Sequence, residues 1–174
     1  MSETPVRRVV LVGFMGTGKS TVGRKLARLL GWRFVDMDSR LEEEAGLSIA
    51  EIFRRHGEPA FRAAEARLAA SLASLDRYVV AAGGGAFASE PTRAALQSGA
   101  LTIWLRCDLP TLVARLRPDG SRPLAGSRET MAGLFAERES SYRLADWTVD
   151  ASVERPAQLA RRIHEAVRGR NGER

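Results

Sequence analysis

The chain of 174 residues is predicted to be an α/β protein with three layers, α/β/α, around a parallel central sheet of about five strands. Two observations carry that expectation. Short apolar runs alternate with stretches of helical periodicity along the chain, the pattern left by strand–helix–strand crossovers. The first apolar run leads straight into Gly13-Phe14-Met15-Gly16-Thr17-Gly18-Lys19-Ser20, which fits the phosphate-binding pattern GxxxxGK[ST] and needs a strand before it and a helix after it.

The elements follow in order. Val9, Val10, Leu11 and Val12 are an unbroken apolar run, as a strand buried on both faces requires. From Thr21 to Leu30, Val22, Leu26, Leu29 and Leu30 recur at helical spacing, and Gly31 is placed to end that helix. Residues 33–36 read as a short second strand, followed by a helix over 39–45. Ser48 and Glu51 form a capping box that opens a helix over 49–56, and Glu58-Pro59 starts another running to about Ala73. Residues 78–82 and 101–105 read as third and fourth strands, and 147–149 as a short fifth before a helix from Pro156 to about Arg168.

In a sheet of this kind ligands bind at the carboxyl ends of the strands. Gly13, Asp36 and Gly83 each lie just past such an end, so three segments that can carry chemistry converge. The chain is read as one domain over 1–174, with a helical acceptor-binding insertion at 37–75 and a lid loop at 116–127.

Composition narrows the function classes. With 44% hydrophobic residues the chain can bury a real core, yet no apolar run approaches membrane-spanning length. Met1-Ser2-Glu3-Thr4-Pro5 lacks the apolar stretch of a signal peptide, and the single Cys107, expected as a small residue at a strand end, excludes an internal disulfide. A cytoplasmic protein, monomeric and independent of membranes, is expected. The net charge of +6 raises nucleic acid as a partner. Against it, the arginines are scattered among acidic residues in separated pairs (Arg7-Arg8, Arg54-Arg55, Arg161-Arg162), with no basic tract interleaved with aromatics. A small anionic substrate wants arginine just as much, so no nucleic-acid partner is expected.

The chemistry of the first loop follows from its residue types. Glycines let backbone N–H groups turn toward phosphate oxygens, Lys19 reaches the β/γ oxygens, and Ser20 can ligate Mg²⁺ at the positive N-terminus of the next helix. Lysine occurs only at Lys19 and Lys25, although arginine is abundant, so a compact ammonium stands where the pattern needs one.

Four further constellations stand out. Asp36 and Asp38, two apart at a strand exit, are expected to face one side, Asp36 toward a metal-bound water and Asp38 toward an attacking hydroxyl; the plainer role for Asp38 is the N-cap of the following helix. Gly83-Gly84-Gly85 suits a place where a ligand touches main chain, or a flexible turn. Arg62 and Glu65, three apart, share a helix face, so that Glu65 can orient the Arg62 fork toward a substrate carboxylate; Phe53 and Phe61 serve as apolar walls or simple core. The stretch Pro118-Asp119-Gly120-Ser121-Arg122-Pro123-Leu124-Ala125-Gly126 reads as a lid loop delivering Arg122 to charge developing on the γ-phosphoryl group. Arg138 is ambiguous on pattern alone.

Taken together, these segments resemble the shikimate kinases, small P-loop kinases of the nucleoside-monophosphate-kinase type. The resemblance runs from about Val9 to Val167 through GFMGTGKSTVG, Asp36-x-Asp38, residues 48–65, Gly83-Gly84-Gly85, Arg122-Pro123-Leu124, and Glu137-Arg138 with Tyr142. It implies ATP-dependent, Mg²⁺-supported phosphorylation of the 3-hydroxyl of shikimate. It also implies a nucleotide site of Gly13, Met15, Gly16, Thr17, Gly18, Lys19, Ser20, Thr21, Arg122 and Arg155. Shikimate would meet Asp38, Arg62, Gly83, Gly84, Gly85 and Arg138, and the metal Ser20 and Asp36, with Lys19, Asp38 and Arg122 catalytic. An adenine-side arginine is either Arg115 or Arg117, and Leu124-Ala125 stands where the family commonly has two leucines. The alternatives are a gluconate-type kinase, which shares the scaffold, and a non-catalytic module that binds shikimate or nucleotide.

Overall fold

The computed structural model describes residues 5–116 and 128–172. Its elements are β1 (Arg8–Val12), α1 (Lys19–Leu30), β2 (Arg33–Asp36), α2 (Met37–Ala45), α3 (Ile49–Leu72), β3 (Tyr78–Ala81), α4 (Glu90–Gln97), β4 (Leu101–Arg106), α5 (Leu109–Arg115), α6 (Arg128–Tyr142), β5 (Trp147–Asp150) and α7 (Pro156–Arg170). The five strands form one sheet in the order β2-β3-β1-β4-β5, with every neighbouring pair parallel. From β1 the chain moves out to β2, returns at β3, and then crosses to β4 on the other side. A crevice therefore opens at the carboxyl ends around β1, where strand order changes direction.

Strand β1 explains the layers. Successive side chains point to opposite faces. Val10 and Val12 join a core with Leu68 and Leu72 of α3, Leu96 of α4 and Tyr142 of α6. Val9 and Leu11 join a second core with Val22 and Leu26 of α1 and Leu159, Ile163 and Val167 of α7. Each fully buried Val or Leu contributes about 1.5–3 kcal/mol, so the unbroken apolar run is satisfied only where helices cover both sides.

The element boundaries differ from expectation for local reasons. Helix α1 begins at Lys19 rather than Thr21, because the left-handed Gly18 turns the chain directly into it. Helix α2 begins at Met37, because Asp36 itself is the cap. The two helices expected over 49–73 appear as one tract, α3, broken at Gly57 with φ 80 and ψ 168, and Pro59 sits just beyond the break.

Buried Arg8, 3% exposed, ties the sheet to two helix ends. Its Nη1 donates to the carbonyls of Ala73 (2.6 Å) and Leu75 (3.0 Å), and its Nη2 donates to the carbonyl of Ser98. Arg8→Met keeps most of the volume but strands those three acceptors. Urea denaturation is expected to show a loss of about 2–3 kcal/mol, and an unchanged midpoint would mean that water replaces the guanidinium without penalty.

Candidate active site

The loop between β1 and α1 is shaped by sterics before it meets any ligand. Gly13 has φ 144, and a Cβ there would lie 2.7 Å from the carbonyl oxygen of Leu105, so no side chain fits. Thr17 Oγ1 donates to the carbonyl of Phe14 at 3.0 Å and closes the turn. Lys19 Nζ donates to the carbonyls of Gly13 (2.7 Å) and Phe14 (3.0 Å), curling back over the loop. Helix α1 then starts with no side-chain cap and no acidic residue in its first turn. Its N–H groups and partial positive charge are left for an anion.

Asp36 links this loop to β2. Its Oδ1 accepts from the backbone N–H of Asp38 (3.1 Å) and Ser39 (3.3 Å), and its Oδ2 accepts from the Ser20 hydroxyl. The cap of α2 is therefore Asp36, not Asp38, which corrects the plainer role considered for Asp38. Strand alternation also fails to explain why both carboxylates line the same cavity, because Asp38 already lies in the first helical turn.

The opposite side of the cavity is built by α3 against the segment after β3. Arg62 Nη1 donates to Glu65 Oε2 at 2.8 Å, while Nε and Nη2 donate to Glu58 Oε1 at 3.3 and 3.1 Å. Glu65 is 1% exposed, and its other oxygen, Oε1, has no hydrogen-bond partner among the described residues. Burial holds its carboxyl above the usual range; the Arg62 guanidinium opposes that rise and the nearby Asp38 charge adds to it. Burial alone would lower Arg62, but the carboxylates of Glu65 and Glu58 outweigh it and raise the guanidinium instead. Phe61, whose ring centroid is 4.9 Å from that of Phe53, is both core and wall.

The three glycines are explained less by ligand approach than by the protein's own charged groups. A Cβ on Gly83 would lie 2.7 Å from Glu65 Oε1 and 2.8 Å from Asp38 Oδ1. One on Gly84 would meet Arg138 Nη1 at 3.4 Å, and one on Gly85 would sit 2.5–2.8 Å from the Arg62 guanidinium. The run therefore admits two carboxylates and two arginines against main chain. Arg138, 5% exposed on α6, also lies 6.0 Å from the centroid of Phe14. One turn later the Tyr142 hydroxyl donates to the carbonyl of Gly84; burial pushes that phenol well above its usual range, with Arg138 opposing.

Lys19, Ser20, Asp36, Asp38, Arg62, Gly84, Gly85 and Arg138 all line one cavity of about 550 Å³, as do Met15, Gly16, Gly18 and Thr21. Gly13, Thr17 and Gly83 stand behind that lining, as supports of the loop and of the acidic pair. Arg155, expected near the nucleotide, caps α7 and does not line the cavity, whereas Arg115 does. Arg115 Nη2 donates to the carbonyl of Ala151 at 3.0 Å, and its Nη1 lies 3.7 Å from the sulfur of buried Cys107, just past β4. Arg122, Arg117 and nearly all of the expected lid lie outside the described residues. Sequence reasoning missed Glu58 as a partner of Arg62, although their four-residue spacing on a helix signals such a pair.

Comparison with known proteins identifies the family. The sequence model of the shikimate kinase family matches residues 15–168. A shikimate kinase of Nitrobacter winogradskyi is 49% identical over 146 residues, covering 82% of this chain and 68% of that protein. One from Geobacter metallireducens is 41% identical, covering 97% of this chain and 96% of its own. The solved structure of a shikimate kinase from Acinetobacter baumannii in complex with shikimate superposes with a TM-score of 0.90 at 33% identity, covering 96% and 95% of the two chains. A gluconokinase from Sinorhizobium meliloti reaches a TM-score of 0.59 at 16% identity over 96% and 93% of the chains, a likeness of fold alone. A family match over most of its length and relatives more than 40% identical show that this chain belongs to the shikimate kinase family.

Proposed function

We infer that this chain transfers the γ-phosphoryl group of ATP to the 3-hydroxyl of shikimate, giving shikimate 3-phosphate and ADP, a step in making aromatic amino acids. The observation that carries the reading is the cavity shared by the uncapped N-terminus of α1, Asp38, and the two arginines Arg62 and Arg138. A triphosphate needs the first feature, a hydroxyl nucleophile the second, and a small carboxylic acid the third.

The roles follow from position. Phosphate oxygens would take over the Lys19 ammonium, which otherwise donates to its own loop. Arg62 and Arg138 would hold the substrate carboxylate, with Glu65 and Glu58 fixing the direction of the Arg62 fork. Asp38 would accept the proton of the 3-hydroxyl as its oxygen bonds to the γ-phosphorus and the bond to the β–γ bridging oxygen breaks, releasing ADP. Arg115, which lines the cavity and is braced by the carbonyl of Ala151, would serve as the adenine-side arginine. Arg122 completes the reading as the lid arginine of the loop at 116–127, and the helices over 37–75 as the acceptor-binding part of a single domain.

Mg²⁺ fits the residues present. The Ser20 hydroxyl and Asp36 carboxylate are hard oxygen donors bonded to one another beside the uncapped end of α1, the set this ion takes together with phosphate oxygens and water. When bound, it would offset the negative charge of the β- and γ-phosphates. Among the described residues no helix is long and apolar enough to cross a membrane. Cys107 is buried and free, which supports the reading of a cytoplasmic protein, and a monomer is proposed with it.

Mass spectrometry of products after incubation with Mg·ATP and a panel of hydroxy acids tests the whole reading. Phosphorylated shikimate is expected; binding of both ligands without product would make the chain a binding module, and turnover of gluconate alone would reassign the acceptor. Asp38→Asn is expected to keep ATP affinity and lower kcat by about 10²–10⁴. Near-normal turnover would reduce Asp38 to a helix residue. Arg62→Ala should raise the KM for shikimate roughly 10- to 150-fold, the value of one charge-assisted hydrogen bond, with the KM for ATP little changed. Gly85→Ala, which drives a methyl group into the Arg62 guanidinium, should shift the same constant in the same direction. A selective rise in the KM for ATP instead would detach the glycine run from the acid-binding side.

A further inference from the structure

A second cavity, of about 620 Å³, lies at the opposite end of the sheet. It is bordered by Val6 and Arg7 before β1 and by Asp76 and Arg77 before β3, whereas the active-site crevice lies past the carboxyl ends of the same strands. Leu30 and Trp32, partly buried against the second core, form an apolar part of its floor, with the fully buried Val167 behind them.

The wall is rich in donors and poor in acceptors. The guanidinium of Arg77, the ring of His164 and the indole N–H of Trp32 have no hydrogen-bond partner among the described residues. Arg168 also lines the cavity, with a partner of its own. Asp76 is the carboxylate in the lining, and it is bonded to Arg7 at 3.0 Å. Asn171 is occupied too, since its side chain exchanges hydrogen bonds with the backbone of Val6.

Arg77 has a second peculiarity. Its φ is 60, in the left-handed region that residues with side chains adopt only at a cost. Its N–H donates to the carbonyl of Arg7 at 2.6 Å, and its own carbonyl accepts from the N–H of Arg33 at 3.0 Å, so the conformation is locked between β1 and β2. The backbone role would suit glycine as well or better. What arginine adds is a cation held on the rim of the cavity.

Cations near the carboxyl ends of α1 and α7 offset the helix dipoles, and Arg168, in the last turn of α7, is explained in that way. That account covers neither Arg77, which is on no helix, nor the presence of Trp32 in the lining. A bare inorganic anion would leave the Trp32 floor unused, and an uncharged ring would leave the Arg77 rim unused. A ligand with both parts satisfies both.

We propose that this groove is a binding site for a small ring-bearing carboxylate, its ring lying on Trp32 and its carboxylate held by Arg77 with His164 beside it. The site is separate from the phosphoryl-transfer crevice, and the proposal stands whether or not the reaction above is the right one.

The test uses the full chain with the active site filled by excess shikimate and Mg·ADP. Calorimetry and ligand-observed NMR with 1-naphthoate as the probe are expected to show one further saturable equivalent. Arg77→Gly is expected to weaken it at least about ten-fold, the smaller estimate for one charge-assisted hydrogen bond. Because glycine relieves the positive φ, this variant should unfold at the same temperature as the parent or higher, so loss of binding cannot be blamed on loss of fold. Inorganic phosphate and 1-naphthylmethanol, which each carry half of the recognition, should bind at least about ten-fold more weakly than the naphthoate. Absence of a saturable equivalent, or affinity untouched by Arg77→Gly, would overturn the proposal. Phosphate binding as tightly as naphthoate would overturn the ring-bearing class.

Discussion

The ion pair between Arg62 and Glu65, 2.8 Å long and pressed against the glycine run after β3, is the constraint on which the active site depends. Glu65 is almost wholly buried, and a carboxylate in that position is tolerable only with a cation beside it. The pair in turn needs Gly85 and Gly83 without side chains, because both partners occupy the space where Cβ atoms would be. Removing one partner of such a pair typically costs about 3–5 kcal/mol, most of it the penalty of the charge left behind. The geometry of Arg62 is thus secured by stability itself.

A similar economy holds on the nucleotide side. Asp36 caps α2 with one oxygen and receives the Ser20 hydroxyl with the other, so the start of α2 and the start of α1 are joined through one carboxylate. Helix α1, by contrast, has no cap of its own. Its unsatisfied N–H groups are the part of the structure that phosphate completes. Tyr142 anchors the third side by bonding the Gly84 carbonyl from α6, which brings Arg138 over the same glycine run.

The two ends of the sheet are therefore different kinds of surface. At the carboxyl ends charged groups are tightly paired and fitted to main chain, and at the amino ends donors stand around an apolar floor. Arg8 marks the division, since its guanidinium is spent on the carbonyls that end α3 and follow α4.

Much of this was legible in the residues alone. The apolar run ending at Val12 and the loop pattern through Ser20 determine a buried parallel strand, a sharp turn and a helix, because each is a local demand of backbone sterics and side-chain period. The three-residue spacing of Arg62 and Glu65 determines that they can pair, since spacing on a helix is local as well. Tertiary structure decided the rest. That Glu65 is buried, that Asp38 reaches the cavity from a helical turn, and that Gly83, Gly84 and Gly85 make room for the protein's own carboxylates and guanidinium groups all follow from α3 and α6 packing onto the end of β3. Packing also put Arg115 in the lining of the cavity and Arg155 at the cap of α7, outside it. Spacing along a chain fixes which residues can share a face; only the packing of distant segments settles what that face meets.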